Sequence, residues 1–261
     1  MGDPSPKIVR FPETGPLLVC TDLHGNLPDF LRMKELFLAA RAEAGCCQLL
    51  FLGDLVHGPA FTREEWPDYL GSFYVDHSAA LLEAFMTLQE TFPGEVHCLL
   101  GNHEHSHVGG PHTPKFWLDE TAHFEQKVGP IASRRYRALF SGFPLIAISP
   151  CGVVFSHAAP NISLTSLEEI EAIEYLGHER MNLLTLETMP MLGRLLWARR
   201  CPTKVVQRFL EVVSAETKGE HGVVVYGHDI APSGFEHFGA ELLMLSTSFG
   251  LDDPCKTPAR P

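Results

Sequence analysis

Residues 17–26 read LLVCTDLHGN: four apolar or sulfur-bearing residues, a threonine, then Asp22 and His24. A short apolar run closed by polar residues and glycine is the pattern of a strand buried on both faces. Two positions apart on extended chain, Asp22 and His24 point to the same side, where a carboxylate and an imidazole can grip one ion. The pattern recurs. QLLFLGD at 48–54 ends in Asp54, VHCLLGNHEH at 96–105 delivers Asn102 and His103, VVFSH at 153–157 ends in His157, and VVVYGHD at 223–229 carries His228. A sixth run, LLMLS at 242–246, completes the strand set.

Between the first three strands lie helical patterns, Leu27 to Ala44 with Asn26 before it and Gly45 after it, and Ser78 to Thr91 with Asp76 or His77 near its start. That alternation predicts an α/β fold. The segment LIAISPCGVVFS at 145–156 reads as two strands joined by a tight turn, so part of the sheet is expected to be antiparallel. In open α/β sheets functional groups collect beyond the carboxyl ends of the strands. Five strand ends bearing Asp, Asn and His can therefore converge on one pocket although more than half the chain separates them.

Composition narrows the field. With 261 residues and 45% hydrophobic content, the chain can bury a large core. Residues 16–250 read as one domain, with Pro-rich polar stretches at 1–15 and 251–261 expected to be flexible tails. A formal net charge of −12 removes the usual electrostatic basis for binding nucleic acid or anionic lipid. No apolar run reaches the length of a membrane span, and the odd count of seven cysteines, without a C-x-x-C pair, suits free thiols in a reducing cytoplasm. Fourteen histidines invite a search for metal ligands.

The series D-x-H, G-D, G-N-H-E, a later H and G-H resembles the calcineurin-like metallophosphoesterases. Finer segments, VVFSHAAPNISLTSLEEIEAIE at 153–174, RLLWARR at 194–200 and YGHDIAPSGFEHF at 226–238, resemble the phosphoprotein phosphatase branch, and the likeness runs from Leu17 to Phe249. The resemblance implies a mixed β-sheet sandwich flanked by helices, with a two-metal site at the carboxyl ends of the strands. It implies that Asp22, His24 and Asp54 hold one divalent ion, and that Asp54, Asn102, His157 and His228 hold the other, Asp54 bridging. It implies that a metal-bound hydroxide attacks phosphorus in line and that His103 protonates the leaving group. Mixed nitrogen and oxygen ligation suits manganese, iron, zinc or cobalt, with manganese the first choice. The implied activity is hydrolysis of phosphoric monoesters, with phosphorylated serine or threonine side chains of proteins as substrate. A nucleotide phosphohydrolase, for instance of dinucleoside polyphosphates, and a metal-binding scaffold without turnover are the competing readings. Oligomeric state is not readable.

The departures bear on substrate grip. Where the branch reads G-D-x-V-D-R-G, this chain has Gly53-Asp54-Leu55-Val56-His57-Gly58-Pro59, so the carboxylate that orients the catalytic histidine is His57 and the phosphate-gripping arginine is Gly58. Arg199 and Arg200 are the candidates to replace that clamp, Arg194 a weaker third, and His57 is a further candidate substrate contact that can also hydrogen-bond near the metals or steer His103. Glu104 is expected to satisfy backbone donors. His105, His107 and His112 look like ligands only by composition. The aromatic, acidic loop Pro59–Val75 is expected to wall the pocket, and its carboxylates are candidates for the missing partner of His103.

Overall fold

The structure, a computed structural model, describes residues 5–112, 114–115 and 118–252. Its strands are β1 (Ile8–Arg10), β2 (Leu17–Cys20), β3 (Gln48–Phe51), β4 (Val96–Cys98), β5 (Pro114–Lys115), β6 (Leu118–Asp119), β7 (Ile146–Ser149), β8 (Val153–Ser156), β9 (Val223–Tyr226), β10 (Phe235–Phe238) and β11 (Leu242–Leu245). Its helices are α1 (Leu27–Ala44), α2 (Ser78–Thr91), α3 (Asn102–His105), α4 (Glu120–Ser141), α5 (Glu168–Glu171), α6 (Leu183–Thr188), α7 (Met191–Trp197) and α8 (Thr203–Thr217).

Two sheets carry the fold. Strands β2, β3 and β4 form a parallel three-stranded sheet, and a mixed six-stranded sheet runs β1-β7-β8-β9-β11-β10. Strands β7 and β8 pair antiparallel across the tight turn expected at Ser149-Pro150-Cys151-Gly152. The period-two alternation of each strand explains the layering. Leu17, Val19, Leu50, Ala147, Val153, Phe155, Val223, Val225, Leu243 and Leu245 meet in one apolar cluster between the sheets. Their neighbours Leu49, Phe51, Val96, Cys98, Ile146, Val154, Val224 and Met244 join the larger cluster beneath the helices. Phe51 shows the packing: it is buried, stacked on Phe30 of α1 at 5.6 Å and edge-on to Phe85 of α2 at 5.8 Å. Burying such a side chain contributes about 1.5–3 kcal/mol.

The helix ends follow their caps. The Asn26 side chain accepts from the Asp29 amide at the start of α1, and Gly45 closes it in the left-handed region. One expectation is corrected: β1, within the stretch read as a tail, pairs in parallel with β7, and Phe11 packs into the inter-sheet cluster. Three residues separated by prolines give too short a run to register as a strand, yet their backbone groups complete the sheet edge. The described cysteines are free, and burial pushes the Cys20 thiol up to about 12, consistent with its reading as a small hydrophobe. Cys255 lies outside the described residues. Among the described residues no helix is long and apolar enough to cross a membrane.

Candidate metal centre and its cleft

The carboxyl ends of β2, β3 and β4 in one sheet and of β8 and β9 in the other reach a common edge. Asp22, His24, Asp54, Asn102, His103 and His228 line a single cavity there of about 380 Å³, walled by Tyr69, Leu70, Leu183, Trp197, Ile230 and Phe249. His157 lies at its base, fully buried, with Nε2 3.6 Å from Asp54 Oδ2.

Backbone strain aims these groups. Six non-glycine residues among those described have positive φ, and five belong to this region: Asp22 (40°), His24 (43°), Asp54 (54°), His57 (68°) and His228 (69°). The left-handed region costs an L-residue roughly 1–2 kcal/mol. Such strain persists only where the surrounding structure over-determines it, and here it bends each strand end so that its polar side chain faces inward. The loops after β3 and β4 touch because Gly101 has no side chain. A Cβ there would stand 2.2 Å from Asp54 Oδ1. Glu104 secures the same junction, its carboxylate accepting from the amides of Asp54 (2.9 Å), Leu55 (2.7 Å) and Gly101 (3.1 Å). Burial pushes this carboxyl up to about 7 against those three bonds, which favour the charged form.

The histidine tautomers suit a cation. His24 Nδ1 is 3.1 Å from the Val56 carbonyl and His157 Nδ1 is 2.8 Å from the Leu52 carbonyl, so each Nδ1–H donates outward and each Nε2 turns a bare lone pair inward. Burial lowers the His157 pKa to about 4, so the ring is neutral at pH 7. Its Nε2 nevertheless lies 2.9 Å from Asn102 Oδ1, an acceptor facing an acceptor, and His228 Nδ1 lies 2.9 Å from the same oxygen. Across the centre Asp54 Oδ2 is 3.7 Å from His24 Nε2 and 3.6 Å from His157 Nε2. Two ligands about 2.1 Å from a shared tetrahedral ion are separated by about 3.4 Å. Hard and borderline donors at these separations fit divalent metal ions, and a cation turns the lone-pair repulsion into coordination.

His103 stands at the rim of this arrangement. Its Nε2 is 4.0 Å from Asp54 Oδ2, and its Nδ1 is 3.0 Å from His57 Nδ1 and 3.5 Å from Glu120 Oε2. The carboxylate beside His103 is therefore Glu120, the first residue of α4, and not one from the Pro59–Val75 loop. In that loop Glu65 accepts from Thr62, and just beyond it Asp76 accepts from Ser78. The loop does wall the cavity through Tyr69 and Leu70, and the Tyr74 hydroxyl donates to the His24 carbonyl at 3.0 Å.

The expected substrate groups divide. Arg199 lines the cavity, its Nη1 2.8 Å from Asp229 Oδ1. Arg200 does not: its guanidinium lies over the Phe238 ring at 3.9 Å, because β10 offers that ring as a stacking platform outside the cavity. Arg194 donates to the Thr188 carbonyl, closing the turn between α6 and α7. His57 is also displaced from the expected substrate contact. Its backbone bend and its bonds to His103 and His107 bury it behind the cavity wall. His105 bonds the Tyr175 carbonyl through Nε2, and His112 is exposed beside Asp119.

The profile of the calcineurin-like phosphoesterases matches residues 15–251. The chain belongs to that family. This phosphoesterase is accordingly a hydrolase of phosphoester bonds, from a family whose activity depends on paired metal ions, and a phosphorylated substrate is implied. Its fold is similar to that of a protein serine/threonine phosphatase from Saccharomyces cerevisiae, at 18% identity and TM-score 0.61, over 94% of this chain and 72% of that one. It is also similar to a cold-active protein-tyrosine phosphatase from a Shewanella species, at 16% identity and TM-score 0.54, over 91% and 73%. Both likenesses concern the fold.

Proposed function

We propose that this phosphoesterase is a dinuclear-metal-dependent phosphoric monoester hydrolase acting on phosphoproteins, serine and threonine phosphates foremost. The observation that carries the reading is the inward convergence of bare imidazole nitrogens and carboxylate and amide oxygens around Asp54, at the floor of an open cavity. Asp22, His24 and Asp54 would hold one ion and Asp54, Asn102, His157 and His228 the other, with manganese the first choice. When bound, the ions supply positive charge for the phosphoryl oxygens and an activated water at neutral pH.

The chain's own groups perform the remaining work. His103 lines the cavity and holds a proton at Nε2, which it passes to the leaving oxygen of the ester. Arg199, at the cavity wall, orients the phosphate by charge-assisted hydrogen bonds. Trp197, Leu70 and Phe249 exclude water from the floor and accept the apolar part of the substrate. Free thiols on the described cysteines support a reducing, cytoplasmic setting.

The test is a panel of a phosphoserine peptide, 4-nitrophenyl phosphate and a diadenosine polyphosphate, each with defined manganese, zinc, iron or cobalt. The reading predicts metal-dependent release of phosphate from the peptide, lost in Asp54→Asn and His103→Ala. Preference for the dinucleotide would move the assignment to nucleotides, a reading that exposed Tyr69 at the rim favours as a stacking surface. Absence of turnover with every metal would leave only the scaffold.

A further inference from the structure

A chain of three imidazoles leads from His103 away from the cavity. His103 Nδ1 meets His57 Nδ1 at 3.0 Å, His57 Nε2 meets His107 Nε2 at 2.9 Å, and His107 Nδ1 meets Glu125 Oε1 at 2.8 Å. The three histidines are buried, and His107 is enclosed by the rings of Phe124 and Phe140. Every link joins ring nitrogens or a carboxylate, so each contact needs one proton between its two atoms.

The far end fixes all the directions. Glu125 receives two bonds from the Arg137 guanidinium, and the His107 bond above all holds its carboxyl down at about 2, so it only accepts. His107 Nδ1 must therefore donate. Burial lowers the His107 pKa and favours the neutral ring, whose Nε2 then accepts. His57 Nε2 donates to it, leaving His57 Nδ1 to accept from His103 Nδ1–H. This order places the exchangeable second proton of His103 at Nε2, the atom 4.0 Å from Asp54 Oδ2. Glu120 Oε2, 3.5 Å from His103 Nδ1 and 4.0 Å from His57 Nδ1, supplies negative charge beside the ring when it is charged.

We propose that His57, His107 and Glu125 form a relay of positioning residues that keeps one His103 proton at Nδ1, so that the proton given to the leaving oxygen is the second proton of the imidazolium, carried at Nε2, and its loss leaves the Nδ1–H tautomer. The relay thus replaces the single carboxylate absent from position 57. It rests on the assignment of His103 as the proton donor in ester hydrolysis. No proton needs to travel along the relay; it sets orientation and tautomer, as a buried acid does for the histidine of a hydrolytic triad.

Two measurements on the 261-residue chain test it. The first is the ratio of kcat/KM for 4-nitrophenyl phosphate, whose leaving group needs little protonation, to that for phenyl phosphate, whose leaving group needs more. His57→Ala and His107→Phe each raise this ratio about tenfold or more, because general-acid help is lost selectively. His57→Asn tolerates the left-handed backbone and keeps an acceptor for His103 Nδ1–H, so its ratio stays within about threefold of the parent. Adding His107→Phe to His57→Asn changes the ratio no further, since the relay is already bypassed. Equal losses on both esters in the His57→Ala and His107→Phe proteins would reduce these residues to packing and overturn the relay.

The second measurement is long-range proton–nitrogen NMR of the imidazoles in zinc-loaded and metal-free protein. The relay predicts His107 protonated at Nδ1 and bare at Nε2, and His57 protonated at Nε2. The opposite tautomers, or a third zinc per chain bound through the Nδ1 atoms of His57 and His103, would overturn it. If the parent hydrolyses neither ester, the function proposed above falls, while the NMR result still decides the tautomers.

Discussion

In the proposed function the grip on phosphate falls to one guanidinium, that of Arg199. It is more than half exposed and already paired with Asp229, so its bond to substrate is worth the low end of the 1.5–3 kcal/mol typical of charged hydrogen bonds. Arg199→Ala is expected to raise KM about tenfold, with a smaller fall in kcat, whereas Arg200→Ala, outside the cavity, leaves KM unchanged. Steady-state kinetics on the phosphopeptide read the difference. Glu125 makes a prediction about pH. Its folded pKa, near 2, lies below the ordinary carboxylate value of 4.5, so its contribution is present above pH 4.5 and fades as pH falls toward 2. With a fifth of the side chain exposed, Glu125→Gln should cost about 1 kcal/mol in urea unfolding at pH 7, and the gap to the parent should close through that acid window. The residues lining the centre were legible because each follows an apolar run with a fixed spacing. Glu120 was not, because it stands at the head of a separate helix and meets His103 only through tertiary packing.

Among the elements, α1 and α2 could be read to the residue from Asn26, Gly45 and the apolar spacing, whereas α4 shows in the sequence only as an amphipathic spacing around Arg134, Arg135 and Arg137. Its geometry carries a consequence that local pattern does not show. Gly129 (φ 79°, ψ 168°) followed by Pro130 breaks the helix. In an unbroken helix Arg137 would lie about 18 Å along the axis from Glu125. The break instead folds the second half back, so that Arg137 reaches the Glu125 carboxylate. Gly129→Ala is free of steric contact, but it places a Cβ in a backbone region reserved for glycine, and should cost about 1–3 kcal/mol. Thermal or urea unfolding checks that cost. A straightened α4 would also withdraw Arg137 from Glu125. The short β1 and β10 escaped the sequence for a different reason: an edge strand with few buried positions has little hydrophobic signature.

At the scale of the whole molecule, the centre is a clasp between the two sheets. Asp22, His24, Asp54 and Asn102 follow strands of the three-stranded sheet, while His157 and His228 follow strands of the six-stranded one. Ions held by both halves as proposed would bind the folded chain and not the unfolded one, and one site filled at a hundred times its Kd would add about 2.7 kcal/mol. Manganese should therefore raise Tm in a concentration-dependent way, EDTA should reverse the rise, and Asp54→Asn should abolish it. Anomalous X-ray scattering from crystals grown with manganese decides whether Asp54 lies between two metal ions. Two peaks per chain are expected about 3.5–4 Å apart, one against Asp22, His24 and Asp54 and the other against Asp54, Asn102, His157 and His228. A centre without manganese at saturating metal, or a lone ion that leaves Asp54 aside, would contradict it.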